Sequence, residues 1–257
     1  MYSEYSAIAC VYDQINSEID YCAWADFIEK CFSKYLPSKP SLVLDLACGT
    51  GSMTFELQSR GYDMIGADMS EDMLSEAYEK AYDKGIDNIL FLRQDMRSFE
   101  LYGTVGAVVC CLDSVNYLTE DGDIEKCFAT VHNYLDPDGL FVFDVNTPYK
   151  FENIYGNNHY IFESRDSYGN DAYCGWQNDY DKESKLCNFS LSVFTCNADG
   201  KYQRADEEQT ERCYTESEIK NALIKSGFEF LGIFADYEFS SPQENTERWY
   251  IVAKAKK

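Results

Sequence analysis

The sequence is short of histidine, proline and basic residues. Two histidines, His132 and His159, and five prolines stand in 257 residues, and no C-x-x-C pair occurs among the eleven cysteines. A zinc centre needs Cys/His ligands at short spacings, so no metal is expected. Lysine and arginine total 22 against 45 acidic residues, a formal charge of −23. Long nucleic acids are gripped by Lys/Arg clusters that displace phosphate counterions. The only basic group is Lys254, Lys256 and Lys257. The balance speaks against nucleic acid and anionic membranes as partners and favours neutral or cationic small molecules.

Also missing is a run of about 18 apolar residues, the length a membrane-crossing helix needs. The first twenty residues carry Glu4, Asp13, Glu18 and Asp20 and no basic start followed by an apolar run, unlike a secretory signal. A cytoplasmic protein with reduced thiols is expected. Cys31, Cys110, Cys127 and Cys187 fall in apolar segments and read as buried thiols.

What is present is globular: 45% hydrophobic and 16% aromatic residues. The length suits one large α/β domain, with or without an insertion, that buries roughly 70% of its unfolded surface.

Apolar spacing predicts a helix over 24–36, ended by Pro37 and Pro40. Strands are expected at 41–46, 62–67, 88–92, 105–112 and 140–145. Helices are expected at 51–60, from the Ser70 cap to Gly85, and over 121–135. This alternation implies a parallel sheet with right-handed crossovers. Residues 149–213 break the pattern. Cys187, Phe189, Leu191 and Val193 alternate with Asn188, Ser190 and Ser192, and Asn197-Ala-Asp-Gly200 reads as a hairpin turn. About three antiparallel strands are expected there. Thr215-Glu-Ser-Glu218 forms a capping box for a helix closed by Gly227, and 228–237 with 247–255 read as a final hairpin.

The most informative segment is Val43-Leu-Asp-Leu-Ala-Cys-Gly-Thr-Gly51, a strand entering a glycine bend before a helix. Ligands of doubly wound sheets sit at such carboxyl ends. A dinucleotide fingerprint requires glycine where Thr54 stands, and Asp45 would repel a pyrophosphate while suiting a cationic amine. Both disfavour NAD(P). Asp68 ends the second strand, placed to accept two ribose hydroxyls. Asp95, after the third, can accept an adenine amine, with Met96 or Met69 against the ring.

These residues resemble the class I S-adenosylmethionine (SAM)-dependent methyltransferases. The resemblance rests on Leu44–Gly51 for the first motif, Asp68–Met73 for the second, Asp95-Met96, Cys110–Ser114 and the turn Leu135–Phe143. It implies a Rossmann-like seven-stranded sheet with the last strand antiparallel, helices on both faces and an inserted small antiparallel β-sheet. It implies SAM as cofactor, leaving S-adenosylhomocysteine, and cofactor contacts at Asp45, Ala47, Gly49, Gly51, Asp68, Met69, Met73, Asp95, Met96 and Leu112. More narrowly, the chain resembles a bacterial small-molecule branch that includes sugar-amine N-methyltransferases. There an N-terminal aromatic cover closes on the cofactor, which assigns Tyr12 and Trp24 here. The expected division is a SAM-binding core over 1–147, a β insertion over 148–213 serving as substrate lid or dimer interface, and a closing helix and hairpin over 214–257.

Methyl transfer is an in-line displacement that needs alignment above all. An amine acceptor needs only a free lone pair, whereas a hydroxyl needs a stronger base or a metal. With two histidines, N-methylation of a small molecule is favoured. Asp113 and Tyr117 are the catalytic candidates, and Asn116, Trp176, Glu208 and Arg212 the acceptor-binding ones. Asp113 can orient an amine or cap the next turn. His159 reads as a solvated loop residue. An RNA methyltransferase and a non-catalytic SAM-binding module are the alternatives. A monomer or homodimer is expected.

Overall fold

A computed structural model of the chain describes residue 5 and residues 7–257. Glu4 and Ser6, part of the N-terminal stretch read above, lie outside the described residues.

The core alternates strands and helices as the periodicity predicts. In order come α1 (Tyr12–Ile15), α2 (Tyr21–Tyr35), β1 (Leu42–Leu46), α3 (Ser52–Ser59), β2 (Asp63–Asp68), α4 (Glu71–Lys84), β3 (Leu90–Arg93), β4 (Val105–Cys110), α5 (Asp123–Tyr134) and β5 (Leu135–Asn146). After the insertion follow α6 (Glu216–Lys225), β10 (Phe228–Phe234) and β11 (Arg248–Ala255). The seven-stranded sheet has the order β10-β11-β5-β4-β1-β2-β3. β1 to β5 pair in parallel, while β11 runs antiparallel to both β5 and β10. This is the expected Rossmann-like sheet with its last strand reversed.

Local signals set the element ends. Ser70 accepts from the Met73 N–H and starts α4, and Gly85 closes it in a left-handed conformation. The Thr215–Glu218 capping box is complete, satisfying donors that a helix start otherwise leaves open. α2 begins at Tyr21, three residues before the expected start, because Asp20 caps it through the Ala23 N–H. β5 also begins early. Leu135 already pairs with Val105, and the next pair is Leu140 with Ala107, so Asp136–Gly139 loops out between them.

Apolar layers lie on both faces of the sheet. Phe128, Val131, Leu223 and Phe141 are buried on one side, and Trp24, Phe27, Ile28 and Val109 on the other. No helix is long and apolar enough to cross a membrane among the described residues.

The insertion holds four strands among the described residues, one more than expected: β6 (His159–Arg165), β7 (Asp171–Asp181), β8 (Leu186–Cys196) and β9 (Tyr202–Arg212), antiparallel in sequence order. β6 escaped the sequence reading because Tyr160, Phe162 and Ser164 are only half-buried, so its apolar alternation is weak. A single wide helical turn, Lys150–Tyr155, precedes it. The inward column of Cys187, Phe189, Leu191 and Val193 is buried together with Phe151 and with Ile8 and Val11 of the N-terminal segment.

Candidate active site

The carboxyl ends of β1, β2 and β4 open onto three adjoining cavities. The backbone there is unusual. Ala47 (φ 59°), Gly49 (φ 55°) and Gly51 (φ 80°) follow β1, and Leu112 (φ 58°) and Asp113 (φ 52°) follow β4, all left-handed. Two consecutive non-glycine residues in that region are strained, and such strain gathers at functional sites.

The first cavity, about 70 Å³, is lined by Gly49, Asp68, Met69, Met73, Gln94 and Met96, with Ala47 and Ser114 completing the wall. Asp68 is its anchor. Its two oxygens accept the N–H groups of Gly49 and Ser70, each at 2.8 Å. Burial raises its carboxyl above the ordinary range and those N–H groups oppose the rise. Gly49 suits this bend because its φ of 55° strains other residues; a Cβ there would meet only the terminal methyl of Met73, at 3.0 Å.

The second cavity, about 30 Å³, lies against Asp45, Tyr21, Ser52, Cys111 and Leu112. Asp45 is 1% exposed and accepts a 2.5 Å hydrogen bond from Thr54. Burial pushes its carboxyl up to about 7, with Thr54 opposing the rise. Thr54 thus occupies the third fingerprint position in order to hold this carboxylate.

The third cavity is a chamber of about 320 Å³ between the core and the inserted sheet. Tyr5, Tyr12 and Tyr117 line both it and the first cavity, Leu112 both it and the second, and Tyr12 all three. The chamber interior carries Asp113, Lys150, Glu211 and Arg248 between aromatic walls that include Tyr155 and Trp176. Arg248 pairs with Asp113 at 2.7 Å and with Asp144. Burial opposes the charge on Asp113, but Arg248 and Lys150 hold its carboxyl below the usual range. Glu211 is driven far the other way, by burial first and the charge of Asp113 second.

An N-terminal cover roofs these cavities, pinned at both ends. The N–H groups of Tyr5 and Ala7 donate to Glu207 of β9. Asp13 accepts from Thr50, Ser52 and Lys80 of the core.

The predicted residues divide accordingly. Tyr12, Asp45, Ala47, Gly49, Asp68, Met69, Met73, Met96 and Leu112 meet around the two smaller cavities. Gly51 stands behind them as the left-handed cap of α3. Trp24 stands apart, 1% exposed in the core between Tyr237 and Tyr250; its helical spacing placed it on the inner face of α2. Asp95 is gripped by Arg97, whose Nε lies 2.9 Å and 3.1 Å from its two oxygens. That contact first of all lowers its carboxyl pKa, and Asp95 does not line the first cavity, although Gln94 and Met96 on either side do.

On the acceptor side, Asp113, Tyr117 and Trp176 line the chamber. Asp113 makes no side-chain cap to the turn that follows. The Tyr117 hydroxyl donates to Gln209 at 2.9 Å. Asn116, Glu208 and Arg212 do not line it. Asn116 is fully buried, joining the Arg212 carbonyl to the Asn146 N–H. Arg212 braces Thr119 and Asp121. Glu208 faces outward and accepts from Ser190. Strand parity places Glu207, Gln209 and Glu211 inward instead, and all three are buried. Lys150, Glu211, Gln209 and Arg248 are thus chamber residues that the sequence reading missed.

A sheet of this order, with carboxylates beside a glycine bend at its carboxyl edge, defines a Rossmann-like nucleoside-binding protein. The family model described as a methyltransferase domain matches residues 43–139. A protein of Geobacillus sp. (strain WCH70) that carries a provisional methyltransferase name is 33% identical over 250 residues, 97% of this chain and 99% of its own. The crystal structure of an S-adenosylmethionine-dependent methyltransferase from Clostridium acetobutylicum ATCC 824 matches with a TM-score of 0.84 at 30% identity, covering 95% of this chain and 96% of that one. A Streptomyces venezuelae dTDP-3-amino-3,4,6-trideoxy-alpha-D-glucopyranose N,N-dimethyltransferase is 33% identical over 123 residues, 48% of this chain and 49% of that protein. The chain belongs to the SAM-dependent methyltransferases.

The cavity chemistry fits that cofactor. Asp68 suits a ribose diol, Met69 and Met96 a purine face, and Asp45 an ammonium. The junction at Tyr12, Leu112 and Tyr117 lies where the two smaller cavities meet the chamber, as a methyl donor requires.

Proposed function

We propose that this methyltransferase acts on the nitrogen of a small-molecule amine held in the larger chamber. The observation that carries the reading is Asp113. Its carboxylate stands in the chamber, held ionised by Arg248, on the strand end that also presents Leu112 to the cofactor cavity. An ionised carboxylate inside aromatic walls attracts a cationic nitrogen. The amino-sugar N,N-dimethyltransferase matched over 48% of the chain supports the same acceptor class.

Bound SAM supplies the electrophilic methyl carbon. The chain supplies position and a dry site. Asp113 accepts a hydrogen bond from the acceptor nitrogen and aims its lone pair. Its low pKa makes it an orienting group rather than a strong base: the nitrogen is drawn in as a cation and gives its proton to water before its lone pair attacks. Tyr117, fixed by Gln209, closes the junction between chamber and cofactor cavity. The inserted sheet, residues 148–213, acts as the acceptor-side wall through Trp176, Gln209 and Glu211. Alignment of this kind is worth several kcal/mol of barrier.

The test is incubation with methyl-labelled SAM and a pool of small amines beside their hydroxyl counterparts. Label is expected on nitrogen, with S-adenosylhomocysteine released in equal amount. Label carried only on oxygen or carbon would overturn the amine assignment.

A further inference from the structure

The chamber interior contains four charged side chains, and three are accounted for. Arg248 is shared by Asp113 and Asp144. Asp113 is ion-paired with Arg248, and Lys150 adds to its stabilisation at longer range. Glu211, 2% exposed, accepts from Asn146 at 3.0 Å, and burial favours its uncharged form. Lys150 remains. Its Nζ makes no hydrogen bond and no ion pair among the described residues, and it lies over the Tyr155 ring, 5.1 Å from the centroid. Glu18 also lines the chamber, but it is exposed at the rim.

Carboxylates are not scarce in this chain. Nine of the fifteen lysines pair with one, and of the six that do not, only Lys150 lines the chamber. An ammonium without an ion-pair partner inside a protein is costly; burial first and Arg248 second lower the Lys150 pKa, against the opposing pull of Asp113, Glu211 and Glu247. The backbone beneath it is fixed, since its N–H donates to Thr147 Oγ1 at 3.2 Å. Asp113, Glu211 and Glu247 act on this ammonium only at longer range; with no carboxylate within ion-pair distance, inside a ligand-sized chamber, it is placed to meet a charge that a ligand brings.

We infer that the acceptor carries an anionic oxygen group, a carboxylate or a phosphate, and that Lys150 binds it. The inference rests on the methyltransferase reading of the same chamber and narrows its substrate to an amine that is also an acid. Asp113 meets the nitrogen and Lys150 the anion, so a substrate with both charges satisfies both residues.

The experiment is calorimetry on the full chain loaded with S-adenosylhomocysteine. The probes are acetate, benzoate, 4-aminobutyrate and inorganic phosphate, set against acetamide, benzamide and 4-aminobutanamide. At least one anion is expected to bind ten-fold or more tighter than the neutral amides. Lys150→Gln should erase that preference, Lys150→Arg should keep most of it, and Lys182→Gln, which removes an exposed ion pair with Glu152, should leave it intact. The carboxylate and phosphate arms separate the two anion types. Equal affinity for acids and amides, binding of neither, or a preference that survives Lys150→Gln would overturn the inference. Failure of S-adenosylhomocysteine itself to give heat would strike the cofactor reading instead, and the anion titrations repeated on the unloaded protein would still decide the role of Lys150.

Discussion

Arg248 Nη2 lies 2.7 Å from Asp113 Oδ1, joining the last strand of the sheet to the end of β4. The reversed β11 makes this possible, because it lies beside β5 with Arg248 opposite Asn146. The same guanidinium bonds Asp144, which is fully buried and also accepts the Asp113 N–H at 2.9 Å. One arginine therefore bridges the chamber carboxylate Asp113 and the buried Asp144 beneath it.

Arg248→Met should leave both carboxylates without their cation. Removing one partner of a buried ion pair costs about 3–5 kcal/mol, and urea unfolding near neutral pH should register a loss of that order. The loss should shrink in acid, where the carboxylates take up protons. A change below about 1 kcal/mol near neutral pH would show that the pairs contribute little.

Asp68→Asn tests the proposed ribose contact. The amide cannot accept from Gly49 and Ser70 as a carboxylate does, and hydrogen bonds to a charged group are each worth about 1.5–3 kcal/mol. Affinity for S-adenosylhomocysteine should fall at least ten-fold by calorimetry. Asp63→Asn, at the exposed start of the same strand, should leave it unchanged. Equal behaviour of the two variants would remove Asp68 from the site.

The sheet and the cavity-lined carboxyl edge are legible in the sequence because each rests on local chemistry: caps at Ser70 and Thr215, a glycine bend after Asp45, apolar runs between them. The acceptor chamber depends on long-range pairing and was read less well. Glu208, an expected acceptor contact, points outward, while Glu207, Gln209 and Glu211 point inward. The signal was nonetheless there. The Asn197–Gly200 turn fixes the β8–β9 register, setting Cys187, Phe189 and Leu191 opposite Glu211, Gln209 and Glu207. Residues directly opposite in an antiparallel pair share a face, so the buried column on β8 selects the odd-numbered residues of β9. Arg248 and Lys150 had no such signal, since nothing near them in sequence announces Asp113. Asp95 was placed on the correct strand end, but Arg97, two residues on, reaches back and engages it.

Asp45 should make cofactor binding depend on pH. Burial raises its carboxyl to about 7 in the folded chain, against about 3.9 in an unfolded one. The native state therefore holds this proton more tightly, and the stability contribution of Asp45 declines as pH rises from about 4 to about 7. An arriving ammonium needs the ionised form, so binding below about 7 must release the proton. Affinity for S-adenosylhomocysteine should rise with pH up to about 7 and then level. Calorimetry in buffers of different ionisation enthalpy reads the proton release directly. Asp45→Asn should weaken binding and flatten this rise, and an unaltered pH profile in that variant would place the titrating group elsewhere.

The N-terminal cover gives a prediction that separates the two faces of the inserted sheet. Glu207 accepts the N–H groups of Tyr5 and Ala7 with its two oxygens, at 2.9 Å for Ala7, and takes a third bond from Gln209 at 2.6 Å. Glu207→Gln replaces one of those acceptors with a donor, which then faces another donor. The cover should open more often, and amides of residues 7–16 should exchange hydrogen faster. Because Tyr5 and Tyr12 roof the cofactor cavity, S-adenosylhomocysteine should also dissociate faster. Glu208→Gln, one residue on, removes only an outward contact to Ser190 and should alter neither rate. If the two variants behave alike, Glu207 does not latch the cover, and the grip of Thr50, Ser52 and Lys80 on Asp13 is what holds the roof in place.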